Sequence, residues 1–261
     1  MKKFSPINSD QDVKSKQQNN LLIIFIIFSL IAVLGMNLKS IVSAYRVFTY
    51  DTFIASLQDY KQKNGISALK NINNNFVAWI SIEDLNISLP VVSTANEDDE
   101  NYYLTHDFKH RSNSLGNPYQ RHSTSINQTT NTQFIGHSVF NSKLIFSKKK
   151  SFVFGDLKKY TLANSDFNYQ IKVETTTSTL NYVVFSVVEF NSKNIPTSVL
   201  NIYNTTNINS QDEFDKFYNT AKSLSAVNLQ QTAQFGDKFL TLFTCSETDL
   251  ANRIMVLAKQ I

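Results

Sequence analysis

Cys245 is the only cysteine in the 261 residues, and a lone thiol narrows what the chain can do with sulfur. No intramolecular disulfide is possible, and no paired-cysteine metal knuckle can form. Two readings remain: a small buried hydrophobe, or a nucleophile. Nucleophilic use demands a His that keeps the thiol ionised and a donor for the oxyanion formed when a carbonyl is attacked. Cys245 ends the apolar run TLFT at 241–244, where the chain passes into polar SETD. A strand end of that kind is a rim that a substrate can reach. Of the four His, His106, His110 and His122 lie in the polar 101–125 region, where surface or capping roles are the default. His137 alone ends an apolar run, TQFIG, and it follows Gly136. A glycine there would let a peptide substrate approach the backbone. Arg253 opens the last apolar run, RIMVLAK. An antiparallel return would bring its guanidinium beside the thiol, to stabilise an oxyanion or hold substrate carbonyls. Pairing with Glu247 or Asp249 is the structural alternative.

Other chemistries lack their parts. The chain has no dinucleotide fingerprint, phosphate loop, paired-His zinc motif or serine elbow, so no cofactor and no metal is expected. Net charge is +4 and the pI about 8.9, without an arginine-rich stripe that could track phosphates, so no nucleic acid is expected as a partner. The carboxylates Asp98, Asp99 and Glu100 read as a solvated loop. SKKKS at 147–151 reads as another, with attraction to an anionic envelope as the sharper alternative. The Asn-rich tracts at 71–75 and 126–133 read as surface-loop composition.

The elements that must position these residues are mostly strands. Twenty Phe and eleven Tyr favour pleated faces. Phe53, Ile54, Leu57 and Tyr60 recur at helical spacing within 51–63, and Gly65 ends that pattern. The period then changes to two: 77–82 and 86–92 read as paired strands around Glu83-Asp84, with Pro90 marking an edge or bulge. A short strand covers 132–138, and 169–175 pairs with 180–190. Ser210 and Glu213 form a capping box ahead of Phe214, Phe217, Tyr218, Ala221 and Leu224, which predicts a helix over 211–225. The runs 238–244 and 253–259 close a mainly β fold, a closed or nearly closed barrel of eight or so strands with helical additions.

Residues 21–38 run for eighteen positions without a charge, enough to cross a hydrocarbon core of roughly 30 Å at about 1.5 Å per residue. Lys2, Lys3, Lys14 and Lys16 precede this segment. The expectation is a single-pass anchor in the cell membrane, with residues 1–20 cytoplasmic, 39–75 a helical linker and 76–261 an extracellular catalytic barrel. A cleaved signal peptide ending near Val42-Ser43-Ala44 is the alternative.

At this point the residues resemble a known family. TLFTC at 241–245 resembles the TLxTC motif of sortases, FIGH at 134–137 their strand-borne His, and NRIMVLAK at 252–259 their Arg-bearing final strand. VAWISIEDLNISLPVV is similar to the first strand pair. NYYLTHDF and the capped helix are similar to class B sortases in particular, and VFGDLKKY at 153–160 resembles the short helix downstream of the family's His. The resemblance implies a closed eight-stranded sortase-type barrel, with helices N-terminal to it and a helix inserted before the last strands. It implies a cysteine transpeptidase that cuts a C-terminal sorting signal, NPxT-like or related, after Thr. Cys245 would form a thioacyl intermediate, His137 would protonate the leaving amine, and Arg253 would stabilise the oxyanion. Leu104, Phe243 and Thr244 would contact substrate. The implied partners are exported proteins bearing the signal and a peptidoglycan amine. The sequence departs from the family pattern at Phe243, commonly Ser in class B, and at Ser138. It also lacks an acidic residue in LGNPYQRH at 115–122. The alternative is a catalytically impaired, membrane-tethered binding domain on the same fold.

Overall fold

The computed structural model describes residues 23–29, 42, 45, 48–140, 151–162, 166–246 and 252–261; at Cys245 and Ser246 the description is of the backbone. Nine strands form one sheet: β1 (Phe76–Ile82), β2 (Ile87–Ser93), β3 (Tyr119–Gln120), β4 (Asn131–Phe140), β5 (Ser151–Val153), β6 (Gln170–Glu174), β7 (Thr179–Asn191), β8 (Phe239–Ser246) and β9 (Asn252–Gln260). Their order is β3-β2-β1-β6-β7-β9-β8-β4-β5, and β3 also pairs with β4. That last pairing closes eight strands into a ring. β5 continues the same edge of β4 beyond β3, at Ser138–Phe140. Two pairings are parallel, β2 with β3 and β4 with β8.

Alternation explains the interior. Ala78, Ile80, Ile82, Phe134, Leu240, Leu242, Val256 and Ala258 are all fully buried at every second strand position. Trp79 is also fully buried, because the outer face of β1 is covered as well. Helix α1 (residues 50–64) turns Tyr50, Ile54 and Leu57 inward. Its Lys61 ammonium lies 4.7 Å from the Trp79 ring centroid and 2.6 Å from Glu174 Oε2.

A second apolar layer lies outside β7, β8 and β9. Helix α2 (Thr197–Asn204) contributes Val199 and Ile202, and α3 (Gln211–Ser223) contributes Phe214, Phe217 and Ala221. They pack on Phe185, Val188, Phe190, Phe239, Met255 and Leu257. The capping box forms largely as expected: Ser210 Oγ accepts from Glu213 N at 3.2 Å. The Glu213 carboxylate reaches one residue further back, to Asn209 N at 2.7 Å.

Four sequence expectations need correction. Among the described residues no helix is long and apolar enough to cross a membrane. The single-pass anchor at 21–38, and with it the cell-membrane localisation with an extracellular catalytic domain, is therefore not supported. Positions 30–38 of that segment, like the 147–150 basic run, lie outside the described residues. The Asn tracts are surface composition only in part: Asn71, Asn74, Asn127 and Gln128 are exposed. Asn73, Asn75, Asn131 and Gln133 are buried, because their amides satisfy loop carbonyls and hydroxyls that would otherwise be orphaned. The cleft beside Gly136 is filled: a Cβ there would meet the Phe154 ring at 2.8 Å, so the glycine admits an aromatic side chain of the protein itself. Finally, α2, β3 and β5 are elements that the sequence patterns do not predict.

The barrel, α1, α2 and α3 belong to one compact unit, within residues 50–261.

Candidate active site

Three strands side by side carry the chemistry-bearing residues. The parallel ladder of β4 and β8 runs from Asn131↔Phe239 to Ser138↔Ser246, and within it His137 is the register partner of Cys245. Neighbouring strands lie about 4.8 Å apart. On the other side of β8, the antiparallel ladder with β9 pairs Phe239 with Lys259 and Phe243 with Met255. Carrying that register two residues further brings Arg253 level with Cys245. Arg253 also faces Phe190 across β7. It is half-buried and engaged by a neighbour. Glu247 and Asp249 lie outside the described residues. The three strand ends thus converge on one rim of the barrel, β4 from a segment far from the consecutive strands β8 and β9.

His137 is 7 % exposed, and its Nε2 lies 2.7 Å from the carbonyl oxygen of Leu104. A carbonyl only accepts, so Nε2 carries a proton. Leu104 ends a 3₁₀ turn, Tyr102–Leu104. That turn is anchored from below: the Tyr103 hydroxyl accepts from Asn73 at 3.1 Å and from Asn75 at 3.2 Å. Burial pushes the Tyr103 phenol above its ordinary pKa, outweighing those two donors, and it remains neutral.

The remaining three residues expected at the site take different positions. Thr244 is 1 % exposed; its hydroxyl accepts from Ile254 N at 2.9 Å and donates to Ile254 O at 3.3 Å. It pins β8 to β9 at Ile254, the residue that follows Arg253. Phe243 is half-buried between Tyr203 and Phe190, with ring centroids at 5.0 and 5.8 Å. Leu104 meets His137 through its main chain. His106 stacks on Tyr102 at 3.9 Å, His110 lies 3.9 Å from Glu97, and His122 lies 3.5 Å from Glu100. None of those three is on β4.

Tyr203 was missed by sequence reasoning, though Val199, Ile202 and Tyr203 after Pro196 carry a helical spacing. The side chain is held firmly. The Arg121 guanidinium lies 4.2 Å over its ring, and its carbonyl accepts from Arg121 at 2.9 Å and from Gln133 at 2.7 Å. Among the described residues no group of three or more His, Cys, Asp or Glu could hold a metal ion.

Comparison with known proteins agrees with this architecture. A sortase-domain family model matches residues 80–261, well over half of the chain. The chain belongs to the sortase family. It is similar to sortase B of Listeria monocytogenes, with 24% identity over 223 residues that cover 82% of this chain and 80% of that protein. The fold is shared with the Staphylococcus aureus sortase B–substrate complex, at a TM-score of 0.63 and 20% identity over 82% of this chain and 93% of that one. It is shared also with a sortase B complexed with triglycine, at a TM-score of 0.65 and 20% identity over 82% and 95%. The closed eight-stranded mixed barrel with an extra strand and a few helices is therefore the sortase B fold. Sortases are transpeptidases, and the enzyme class follows from the family.

Proposed function

We propose that this sortase cuts a C-terminal sorting signal, NPxT-like or related, after Thr, through a thioacyl intermediate on Cys245. It then passes the acyl group to a cell-wall amine. The observation that carries this reading is the register of β4 and β8, which puts His137 and Cys245 on adjacent strands with Arg253 one strand beyond. The Cys245 thiolate attacks the Thr carbonyl carbon, and the guanidinium of Arg253 stabilises the oxyanion. Collapse of the tetrahedral species breaks the C–N bond, and His137 gives its proton to the leaving amine. An incoming amine attacks the thioester, His137 takes the proton back, and the thiolate leaves. Sortase B from S. aureus has been captured with a substrate, and a sortase B with triglycine; both lend support to peptide donor and amine acceptor here.

The test is incubation of the full chain with a panel of sorting-signal peptides, with and without an amine acceptor, followed by mass analysis. The expected result is an acyl adduct on Cys245 that the amine discharges. Cys245→Ala and His137→Ala should each abolish transfer while the fold persists, and Arg253→Ala should slow it by about 10²–10³-fold, the usual effect of one oxyanion donor. Peptide cleavage by the Cys245→Ala protein would sink the proposal.

A further inference from the structure

We infer that Gly116 is a positioning residue for His137: by leaving room for the Leu104 carbonyl it locks the imidazole in the Nε2–H form, so that Nδ1 is the nitrogen that exchanges the catalytic proton. The inference deepens the proposed function and rests on His137 being the acid–base group. Three observations carry it.

The first is the hydrogen bond itself. His137 Nε2 donates to Leu104 O at 2.7 Å, and a buried acceptor that only accepts selects one tautomer. With Nε2 holding its proton on the carbonyl, the proton exchanged during turnover is carried by Nδ1.

The second is how the carbonyl is aimed. The residues on either side of Leu104 are tied to the following segment through their own carbonyls: Tyr103 O accepts from Asn117 N and Thr105 O from Asn113 N, both at 2.8 Å. Leu104 O lies between these two tied carbonyls and is the one directed to His137. Leu104 N in turn donates to Asn101 O at 2.8 Å. The 113–117 segment therefore sets the orientation of the turn.

The third is Gly116. Its φ is +63°, the left-handed region, and a Cβ built on it would fall 2.5 Å from Tyr103 O and 2.8 Å from Leu104 O. Those atoms are backbone, so a side chain at 116 must shift either these carbonyls or the 113–117 segment that aims the one holding His137. The glycine is required by two separate constraints, one conformational and one spatial.

The control is built into the chain. Gly65 has φ +80° and ψ 159°, a backbone conformation kept almost wholly for glycine, with nothing within 4 Å of a Cβ, so Gly65→Ala carries backbone strain of its own without touching the turn. The experiment is long-range ¹H–¹⁵N NMR of the His side chains in the full-length protein at about pH 9, above the ordinary His range, with His137 assigned by its loss in His137→Gln. Wild type and Gly65→Ala should show His137 with a protonated Nε2 and an unprotonated Nδ1. Gly116→Ala should lose that pattern for a tautomer mixture, and its kcat/KM should fall about tenfold or more, as expected when a reacting group is misplaced by a fraction of an ångström.

A wild-type spectrum with the proton on Nδ1 overturns the inference, and this measurement stands even if Gly116→Ala does not fold. A folded Gly116→Ala protein with wild-type tautomer and activity also overturns it. The tautomer readout needs no turnover, so failure of the proposed chemistry, seen as no acyl-enzyme, is distinguishable from failure of the positioning role.

Discussion

At the scale of single residues, the amides contribute more than their composition suggested. Asn131 is fully buried. Its Nδ2 donates to Thr205 O at 2.8 Å, and its Oδ1 accepts from Thr241 Oγ1 at 2.8 Å. One side chain thus joins β4 to β8 and to the end of α2. Asn131→Leu should destabilise the fold by about 1–3 kcal/mol, because it leaves a buried carbonyl and a buried hydroxyl unsatisfied; urea unfolding measures this as a lowered midpoint. An unchanged midpoint would mean that the two groups find other partners. In sequence, Asn131 cannot be told from its exposed neighbours, since an Asn carries no periodic signal.

At the scale of elements, strands and helices behave as their local patterns require. α3 forms where an apolar stripe follows a capping box. Removing the cap with Ser210→Ala should cost about 1 kcal/mol, read as a drop in Tm, while leaving the barrel strands and any acyl-enzyme formation in place. Loss of transfer activity in that variant would tie α3 to the site more closely than its packing does. The layer under α2 and α3 matters to the site because Phe243 reaches it two residues before Cys245. Helix α2 is the element least visible beforehand: eight residues hold little more than two turns of pattern, and its place is decided by packing on α3 and, through Tyr203, on Phe243 of β8.

At the scale of the whole barrel unit, α1 is clamped to the barrel at the Lys61–Glu174 pair. Burial alone would raise the Glu174 pKa, but the hydrogen bond and charge of Lys61, with Lys172, outweigh it and hold the carboxyl below its usual value. A folded pKa below the unfolded one stabilises the native state above the unfolded pKa, and that contribution is lost as pH falls through the folded pKa. The difference in unfolding free energy between wild type and Glu174→Gln, on the order of 1 kcal/mol for a partly exposed pair, should therefore be present at neutral pH and vanish in acid. A difference that is constant across pH would rule out the ion pair as its source.

Much of this was legible in the residues alone. Period-two runs located most of the strands, the capping box located α3, and a lone Cys with a strand-end His and Arg marked the candidate residues before any geometry was available. These are local signals, because side-chain alternation and caps depend only on near neighbours along the chain. What only the tertiary structure decided is non-local. The parallel pairing of β4 with β8 joins residues that no turn connects, and its register follows from closing the whole ring. The burial of Asn73, Asn75 and Asn131, the Phe154 ring that fills the space at Gly136, and the Leu104 carbonyl on His137 all arise where distant loops meet. The sequence named the atoms that could react; closure of the barrel decided which of them lie side by side, because strand pairing and loop packing are set by contacts between segments far apart along the chain.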